Sequence, residues 1–277
     1  MTAEGSLTTG DRTIVPMKDR DPGPTIDITK GERPPKAPPP SKPSYRYFTK
    51  DGTLVPGVTT ALGVLAKPAL IKWANNMGLK GIDTTKYTDE KASIGTLTHY
   101  AIECELRGLT PDTSGFTEEQ IKAARIAYSH FADWQKRHSL VPHRQDGKIV
   151  GCELELVSES YLYGGTCDFY GLLDGEPALI DFKTSGAIYD EHLIQVSAYR
   201  ALLLEHGFPV SRTLILRVGR TPQEGFDVKE ITDLRWHWAI FTHLLAVYRL
   251  QKQMKGENIK KEPYPWLPTR NEQSAGA

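Results

Sequence analysis

The stretch GTCDFYGLLDGEPALIDFKTS, residues 165–185, decides the fold of the middle of this chain. Two apolar runs flank Asp174–Gly175, a dipeptide that is typical of the tight turn of a β-hairpin. If these two residues form the loop, counting outward along both strands places Asp168 directly opposite Asp181, and a four-residue loop centred on the same dipeptide gives the same pairing. The pattern therefore predicts two antiparallel strands with two opposed carboxylates.

The opposed carboxylates are expected to repel each other, because side chains opposite each other across an antiparallel pair lie about 4.5–5.5 Å apart at Cβ. Lys183 follows Asp181 by two residues and so projects from the same face. A hard divalent cation held by oxygen ligands would relieve the repulsion. The alternative is an ordinary hairpin whose polar residues lie at a hydrated strand end.

Two helices on either side of the hairpin carry further candidates. Residues 94–106 show helical spacing of apolar side chains and end before Gly108, and His99 and Glu103 lie four apart on one face. A histidine at such a position is either structural or a ligand. A second helix is expected to run to Glu205 with Asp190 as its cap. This second helix carries Gln195 and Tyr199, again four apart.

The stretch IVGCELELVS, residues 149–158, alternates in part and predicts the strand before the hairpin. Glu153 and Glu155 point to the same face of such a strand. Either glutamate can belong to a site or can lie on the solvent side of an outer strand, and the spacing alone leaves both possibilities open.

Taken in order, His99, Gly165–Asp168, Asp181–Lys183, Gln195 and Tyr199 resemble the motif set of the PD-(D/E)xK nuclease superfamily. The chain is most similar to its RecB-type, CRISPR-associated and phage-encoded exonucleases and to the mitochondrial genome maintenance exonuclease, over roughly residues 45–250. The resemblance implies an α/β fold with a restriction-endonuclease-like mixed sheet, an αβββαβ core flanked by helices.

The resemblance also implies a metal-dependent deoxyribonuclease that uses Mg²⁺ or Mn²⁺. The implied ligands are His99, Asp168, Asp181 and the backbone carbonyl of Phe182, with Glu103 as an additional candidate. Glu153 precedes Asp168 by the interval that the mitochondrial enzyme's pattern shows, and it is therefore favoured over Glu155. Lys183 would orient the attacking water or balance charge on the phosphate. Gln195 and Tyr199 would position the motif or a phosphate oxygen.

The implied activity is exonucleolytic hydrolysis of single-stranded DNA with a free end, in replication, recombination or repair. Two other functions stay open: a structure-specific endonuclease such as a junction resolvase, and a non-catalytic DNA-binding protein that retains the fold. No P-loop, dinucleotide-binding glycine motif or G-x-S-x-G sequence indicates other chemistry.

Several residues are candidates for DNA contact. Trp73, on a helix that Pro68 is expected to begin, can stack on a base or belong to the core. The last helix is predicted to begin at Asp233 and to bury one apolar stripe, Trp236, Ile240, Leu244, Val247 and Leu250. Basic residues on and after it would guide the DNA backbone: Arg235, Arg249, Lys252, Lys255, Lys260 and Lys261.

Composition narrows the class of protein. Thirty-four basic and thirty-four acidic residues cancel, so the overall charge does not indicate nucleic acid. The three cysteines, Cys104, Cys152 and Cys167, form no C-x-x-C pair, which excludes the four-cysteine iron–sulfur cluster of some RecB-type relatives from this chain alone. No apolar run approaches the roughly 18 residues of a membrane span. A soluble, intracellular protein is expected, in a bacterium or a phage-infected cell.

The chain is expected to contain one domain and two tails. Residues 1–44 hold the proline runs Pro34–Pro35 and Pro38–Pro40 and are predicted to be disordered, either as a tether or as a binding segment for a partner protein. The nuclease domain is predicted over 45–252, beginning with a second hairpin and a short helix near 60–66 capped by Thr59 or Thr60. Residues 253–277 are expected to fray.

Overall fold

The computed structural model describes residues 45–256. The predicted N-terminal tail, almost all of the predicted C-terminal tail, and the candidates Lys260 and Lys261 lie outside this range. In the part of the chain that is described, no helix has the length and apolar character needed to cross a membrane.

The described chain alternates helices with a strand-rich middle. Its elements are β1 (Tyr47–Phe48), β2 (Leu54–Val55), α1 (Val58–Leu62), α2 (Pro68–Leu79), α3 (Thr84–Arg107), α4 (Glu118–Gln135), β3 (Leu140–Pro142), β4 (Arg144–Gln145), β5 (Lys148–Ile149), β6 (Cys152–Ser158), β7 (Tyr163–Leu173), β8 (Glu176–Lys183), α5 (Asp190–Glu205), β9 (Arg212–Val218), β10 (Phe226–Glu230) and α6 (Arg235–Met254).

The main sheet is a curled mixed sheet of six strands. Its order is β10-β9-β8-β7-β3, and β6 pairs with the first half of β7. β8 and β9 are parallel and are joined through α5, whereas the other pairs are antiparallel. Helices cover both faces, which confirms the predicted α/β class with a mixed sheet flanked by helices.

Each face of the sheet has its own hydrophobic core. On one face α1, α5 and α6 pack through residues such as Ala198, Leu202 and Phe241. On the other face α3 and α4 pack through residues such as Ile102 and Phe131. Burial of both faces explains why β8 reads as an almost continuous apolar run rather than as an alternating one.

The predicted hairpin is confirmed along most of its length. Asp174 and Gly175 both have positive φ, 52° and 87°, as a two-residue hairpin turn requires. The pairs run in the expected register from Leu173–Glu176 to Phe169–Ile180. The ladder stops there, however, and Asp168 is not paired with Asp181 as predicted.

The pairing is interrupted because, near Glu153 and Asp168, the side chains of β6 and β7 change from one face of the sheet to the other. In β6, Glu153 has a φ of 50°, and the β6–β7 pairs on either side of it are Cys152–Phe169 and Leu154–Cys167. Cys167 packs in the α5 core but Phe169 packs in the α3 core, although residues two apart normally share a face of a strand. The two strands therefore exchange faces at the level of Glu153 and Asp168.

Three predicted helix starts are wrong by one to a few residues. Helix α1 begins at Val58 after Gly57, so neither Thr59 nor Thr60 caps it, because both already lie within the helix. Asp190 is the first residue of α5 rather than its cap. Helix α6 begins at Arg235 after Leu234, and Asp233 instead pairs with the Arg235 guanidinium at 2.7 Å.

The predicted buried stripe of α6 is also wrong. Trp236, Ile240 and Val247 are exposed, at 74%, 44% and 43%. The buried side of α6 carries Phe241 and Leu245 instead. The helix has two apolar stripes, and the periodicity does not tell which of them faces the sheet.

Gly164 is needed for close packing of β1 on β7. A Cβ there would lie 2.2 Å from Cγ of Tyr47, whose hydroxyl hydrogen-bonds Thr166 at 3.0 Å. We expect Gly164→Ala to lower the free energy of unfolding by about 1–3 kcal/mol, because the core around Tyr47 becomes overpacked. Urea unfolding measures the effect. Gly186→Ala is the control, since a Cβ there meets no atom within 4 Å; equal effects would contradict this account.

Candidate metal centre

Three side chains from three different elements converge where the strands exchange faces. One ligand atom each of His99 on α3, Glu153 on β6 and Asp168 on β7 lies within 4.8 Å of the other two. The Nδ1 atom of His99 is 3.6 Å from Oδ1 of Asp168. All three side chains are partly buried, so the group forms a recessed site that still meets solvent.

Helix α3 brings His99 to the site. The helix begins after Asp83, which accepts hydrogen bonds from the Thr85 and Lys86 amides, and it ends at Gly108 in the left-handed conformation. This agrees with the predicted C-terminal stop, although the helix starts ten residues earlier than predicted. The His99 ring meets the edge of Phe182, with centroids 6.2 Å apart, which ties the imidazole to the end of β8.

Asp168 is held as an anion. Its Oδ2 accepts a hydrogen bond of 2.7 Å from the Phe182 amide. Burial would raise the pKa of Asp168, but His99, Lys183 and the Phe182 amide outweigh it and lower that pKa. Burial likewise would lower the pKa of His99, but the adjacent Asp168 raises it above its usual value.

Of the three side chains, Glu153 is the one whose ionisation its surroundings oppose most strongly. Burial and then the nearby Asp168 raise the pKa of Glu153 to about 8. Its backbone lies in the left-handed region that a glutamate seldom adopts. A carboxyl group held in this way beside a second carboxylate is typical of a functional site.

Asp181 and Lys183 form a buried pair next to these three residues. The Nζ atom of Lys183 is 2.5 Å from Oδ2 of Asp181, as their predicted common face requires. The Asp181 side chain is 1% exposed, and apart from this ion contact its oxygens have no hydrogen-bond partner among the described residues. Burial raises the pKa of Asp181 to about 6 despite the lysine. Asp181 does not belong to the group of three, so its predicted role as a metal ligand stays a prediction.

Gln195 and Tyr199 lie on α5 as predicted and touch each other. The Gln195 amide donates a 2.7 Å hydrogen bond to the Tyr199 hydroxyl. The Tyr199 side chain is buried, and burial followed by the charges of Asp181 and Asp168 raises its pKa well above the usual value. Tyr199 therefore borders the carboxylates, whereas Gln195 is partly exposed to solvent.

The other two glutamates that were considered as ligands are placed elsewhere. Glu103 pairs with Arg107 at 2.8 Å and lies outside the group of three. Glu155 pairs regularly with Thr166 in the ladder, so the interruption selects Glu153 over Glu155. Phe182 contacts Asp168 through its amide, and the predicted role of its carbonyl stays a prediction.

The residues predicted to contact DNA differ in their burial and in their contacts. Arg249 is buried and donates to the carbonyls of Tyr161 and Leu162, so its predicted role in binding DNA is wrong. Lys252 lies with its Nζ 5.9 Å from the centre of the Tyr248 ring. Trp73 is partly exposed and packs against Tyr87, with centroids 5.9 Å apart, outside the two main cores.

Two residues near the centre were missed from the sequence. The exposed ring of Tyr45 stacks on Tyr47, and the pKa of its phenol is raised by burial and then by Glu153. Arg107 reaches the strand segment that carries Glu153. A signal for Arg107 existed, since it follows His99 and Glu103 at intervals of four residues on α3.

The residues present fit a hard divalent cation. Two carboxylates and one imidazole are ligand types that Mg²⁺ or Mn²⁺ accept, whereas no thiolate takes part. Burial is the largest cause of the raised pKa values of Glu153 and Asp181, with a further contribution from Asp168, and a cation bound there would favour the ionised carboxylates.

Comparisons with known proteins add little. No family model matches this chain, and no curated protein matches it. A solved structure described as "Crystal structure of SSO0001" is similar at 13% identity with a TM-score of 0.27, covering 64% of this chain and 78% of that one. This likeness is too weak to carry an argument about fold or activity.

Proposed function

We propose that this protein is a metal-dependent DNA exonuclease that hydrolyses phosphodiester bonds at the ends of single strands. The observation that carries the proposal is the convergence of His99, Glu153 and Asp168 within 4.8 Å, beside the buried Asp181–Lys183 pair. An imidazole from α3, and carboxylates and a lysine from β6, β7 and β8, are the kinds of group that the nuclease motif set requires.

The order of the elements supports the same proposal. After α4 and the short strands β3, β4 and β5, the chain forms β6, β7 and β8, followed by α5 and then by β9 parallel to β8. Without the three short strands, this order would correspond to the αβββαβ core that the resemblance implies. The Asp-x-Lys segment ends β8, and the Gln195–Tyr199 pair lies on the helix that follows, as in the motif set that the sequence resembles.

The residues of the site would have different chemical roles. His99, Glu153 and Asp168 would hold Mg²⁺ or Mn²⁺, which when bound polarises a phosphate oxygen and lowers the pKa of water. Asp181 holds the Lys183 ammonium in place, and that ammonium can orient the attacking water or stabilise charge on the phosphate. Tyr199, to which Gln195 donates a hydrogen bond, lies close enough to Asp181 for that carboxylate to raise the pKa of Tyr199.

Linear and circular single strands of the same sequence test the proposal. With Mn²⁺ we expect the linear strand to be degraded and the covalently closed circle to survive, because only the former offers an end. A blunt duplex should be degraded far more slowly, since unpairing costs roughly 1.4 kcal/mol per base-pair step. Product length on denaturing gels is the measurement.

Two controls make the result specific. EDTA should abolish degradation, and the Asp168→Asn protein, purified in parallel, should be inactive, which excludes a contaminating nuclease. Equal rates on circle and linear strand would contradict the exonuclease and favour an endonuclease. Binding of DNA without any cleavage would favour a non-catalytic protein.

A further inference from the structure

Helix α3 presents more than His99 to the strands. His99, Glu103 and Arg107 follow one another at intervals of four residues, so their side chains form one row along the helix. The first belongs to the candidate metal centre. The other two side chains are largely buried, at 14% exposed for Glu103 and 16% for Arg107, and form an ion pair of 2.8 Å.

All three nitrogens of the Arg107 guanidinium have acceptors. Nε donates to Oε1 of Glu103 at 2.8 Å. Nη1 donates to the Ile149 carbonyl at 3.1 Å, and Nη2 donates to the Cys152 carbonyl at 3.0 Å. Because the guanidinium is planar and rigid, the two bonds to backbone carbonyls fix the distance and angle between α3 and residues 149–152, and the bond to Glu103 orients the guanidinium on α3.

The Cys152 carbonyl that Arg107 holds belongs to the peptide bond leading into Glu153. Glu153 is the residue with a φ of 50°, and its neighbours in the ladder are paired on both sides while it is not. A glutamate keeps a positive φ only where contacts with the surrounding structure hold its backbone in that conformation. Within the described residues, Arg107 supplies two such constraints, one at the carbonyl of the preceding residue Cys152 and one four residues before Glu153, at Ile149.

We infer that Arg107, oriented by Glu103, is a positioning residue that fixes the backbone on which Glu153 is aimed at His99 and Asp168. The inference rests on the proposed metal-dependent function. It gives Glu103 a role that differs from a metal ligand, because its carboxylate is engaged by Arg107. One face of α3 thereby carries the ligand His99 and also positions a second ligand, Glu153, on β6.

Arg107→Lys tests the inference, because lysine keeps the charge but cannot make the three bonds. We expect Mn²⁺ affinity, measured by calorimetry, to fall about tenfold, within the 10- to 100-fold typical of lost outer-shell partners. In a Glu153→Gln background, Arg107→Lys should cause no further loss of Mn²⁺ affinity. Arg125→Lys, at an exposed position on α4, is the matched control.

A second pair of variants separates the two roles of Glu103. Glu103→Gln keeps an oxygen that accepts from Nε of Arg107, so we expect Mn²⁺ affinity within about twofold of the original, whereas Glu103→Ala should reproduce the loss seen for Arg107→Lys. A large loss in Glu103→Gln would make Glu103 a ligand and overturn the inference. Should Arg107→Lys not fold, Glu103→Ala takes its place in the Glu153→Gln background.

Hydrogen exchange provides a readout that does not need the metal. In Arg107→Lys we expect faster amide exchange in residues 149–154, with no change there in Arg125→Lys. Unchanged exchange, or an equal loss of affinity with and without Glu153, would overturn the inference. If the original protein binds no Mn²⁺, the proposed function fails, and the exchange arm still decides whether Arg107 fixes this segment.

Discussion

Asp168→Asn should abolish DNA cleavage and lower Mn²⁺ affinity by about 100-fold or more, beyond the range seen for lost outer-shell partners. Asp168 is the one carboxylate of the centre that its surroundings keep ionised. Asparagine has nearly the same shape, and its carbonyl oxygen can still accept the hydrogen bond from the Phe182 amide. The variant therefore removes a charge and leaves the packing in place.

The size of the effect on cleavage follows from the position of the lost charge. Asp168 lies 3.6 Å from His99 and within 4.8 Å of Glu153, so its loss leaves two ligand atoms where three converge. We expect the rate to fall by about 1000-fold or more, comparable to the loss of a group that stabilises transition-state charge directly. Single-turnover assays with Mn²⁺ in excess measure the rate.

Asp174→Asn is the matched control for Asp168→Asn. Asp174 is on the same hairpin and also accepts hydrogen bonds, from His138 and from the Ser139 amide, but it lies at the turn, at the opposite end of the paired strands. It should keep Mn²⁺ affinity and activity. Unchanged Mn²⁺ affinity in a folded Asp168→Asn protein would remove Asp168 from the metal centre and with it the basis of the proposed function.

The hairpin could be predicted from sequence because one dipeptide fixes its register. Once Asp174 and Gly175 are the loop, every pair out to Phe169–Ile180 follows by counting. The face exchange beyond that pair could not be predicted. It depends on a positive φ at Glu153, which is set by tertiary contacts such as that of Arg107 with the Cys152 carbonyl and has no signature in residue type.

For the helices too, local features could be predicted from the sequence, whereas features that depend on tertiary contacts could not. The capping box of Thr117 and Gln120 at the start of α4 agrees with its sequence signature, because both partners are local. The orientation of α6 is not local. The basic residue Arg249 faces the interior because the Tyr161 and Leu162 carbonyls accept its hydrogen bonds there, which a count of charges cannot reveal.

The metal-free protein should lose stability as the pH rises from 6.5 to 8. The folded-state pKa values of Glu153 and Asp181, about 8 and about 6, lie above their ordinary values of 4.5 and 3.8. Each group binds its proton more tightly in the folded state than in the unfolded chain, and for Glu153 this difference extends across the window, so the free energy of unfolding falls with pH. His99 acts in the same direction, because its raised pKa stabilises the folded state only below it.

Asp168 does not reverse this trend. Its pKa is lowered, so the stability it contributes is lost only as the pH falls below its ordinary value, outside the window. Burial lowers the pKa of His143 and His192, which makes stability rise with pH mainly below the ordinary histidine value of 6.5, also outside the window. Since one pKa unit corresponds to about 1.4 kcal/mol, we expect the free energy of unfolding to fall by roughly 1–2 kcal/mol between pH 6.5 and pH 8. The thermal midpoint should then fall by about 3–6 °C for a domain of this size.

Mn²⁺ should reverse the slope, and that reversal links the stability profile to the centre. Metal binding needs ionised carboxylates and so strengthens as the pH rises, which makes the midpoint at saturating Mn²⁺ rise toward pH 8. Glu153→Gln removes the largest of the raised pKa values and should flatten the metal-free profile, while Asp174→Asn should keep it. A metal-free midpoint that stays constant or increases from pH 6.5 to pH 8 would show that Glu153 ionises in the folded protein as easily as in the unfolded chain, and would remove the unfavourable ionisation that a bound cation is expected to offset.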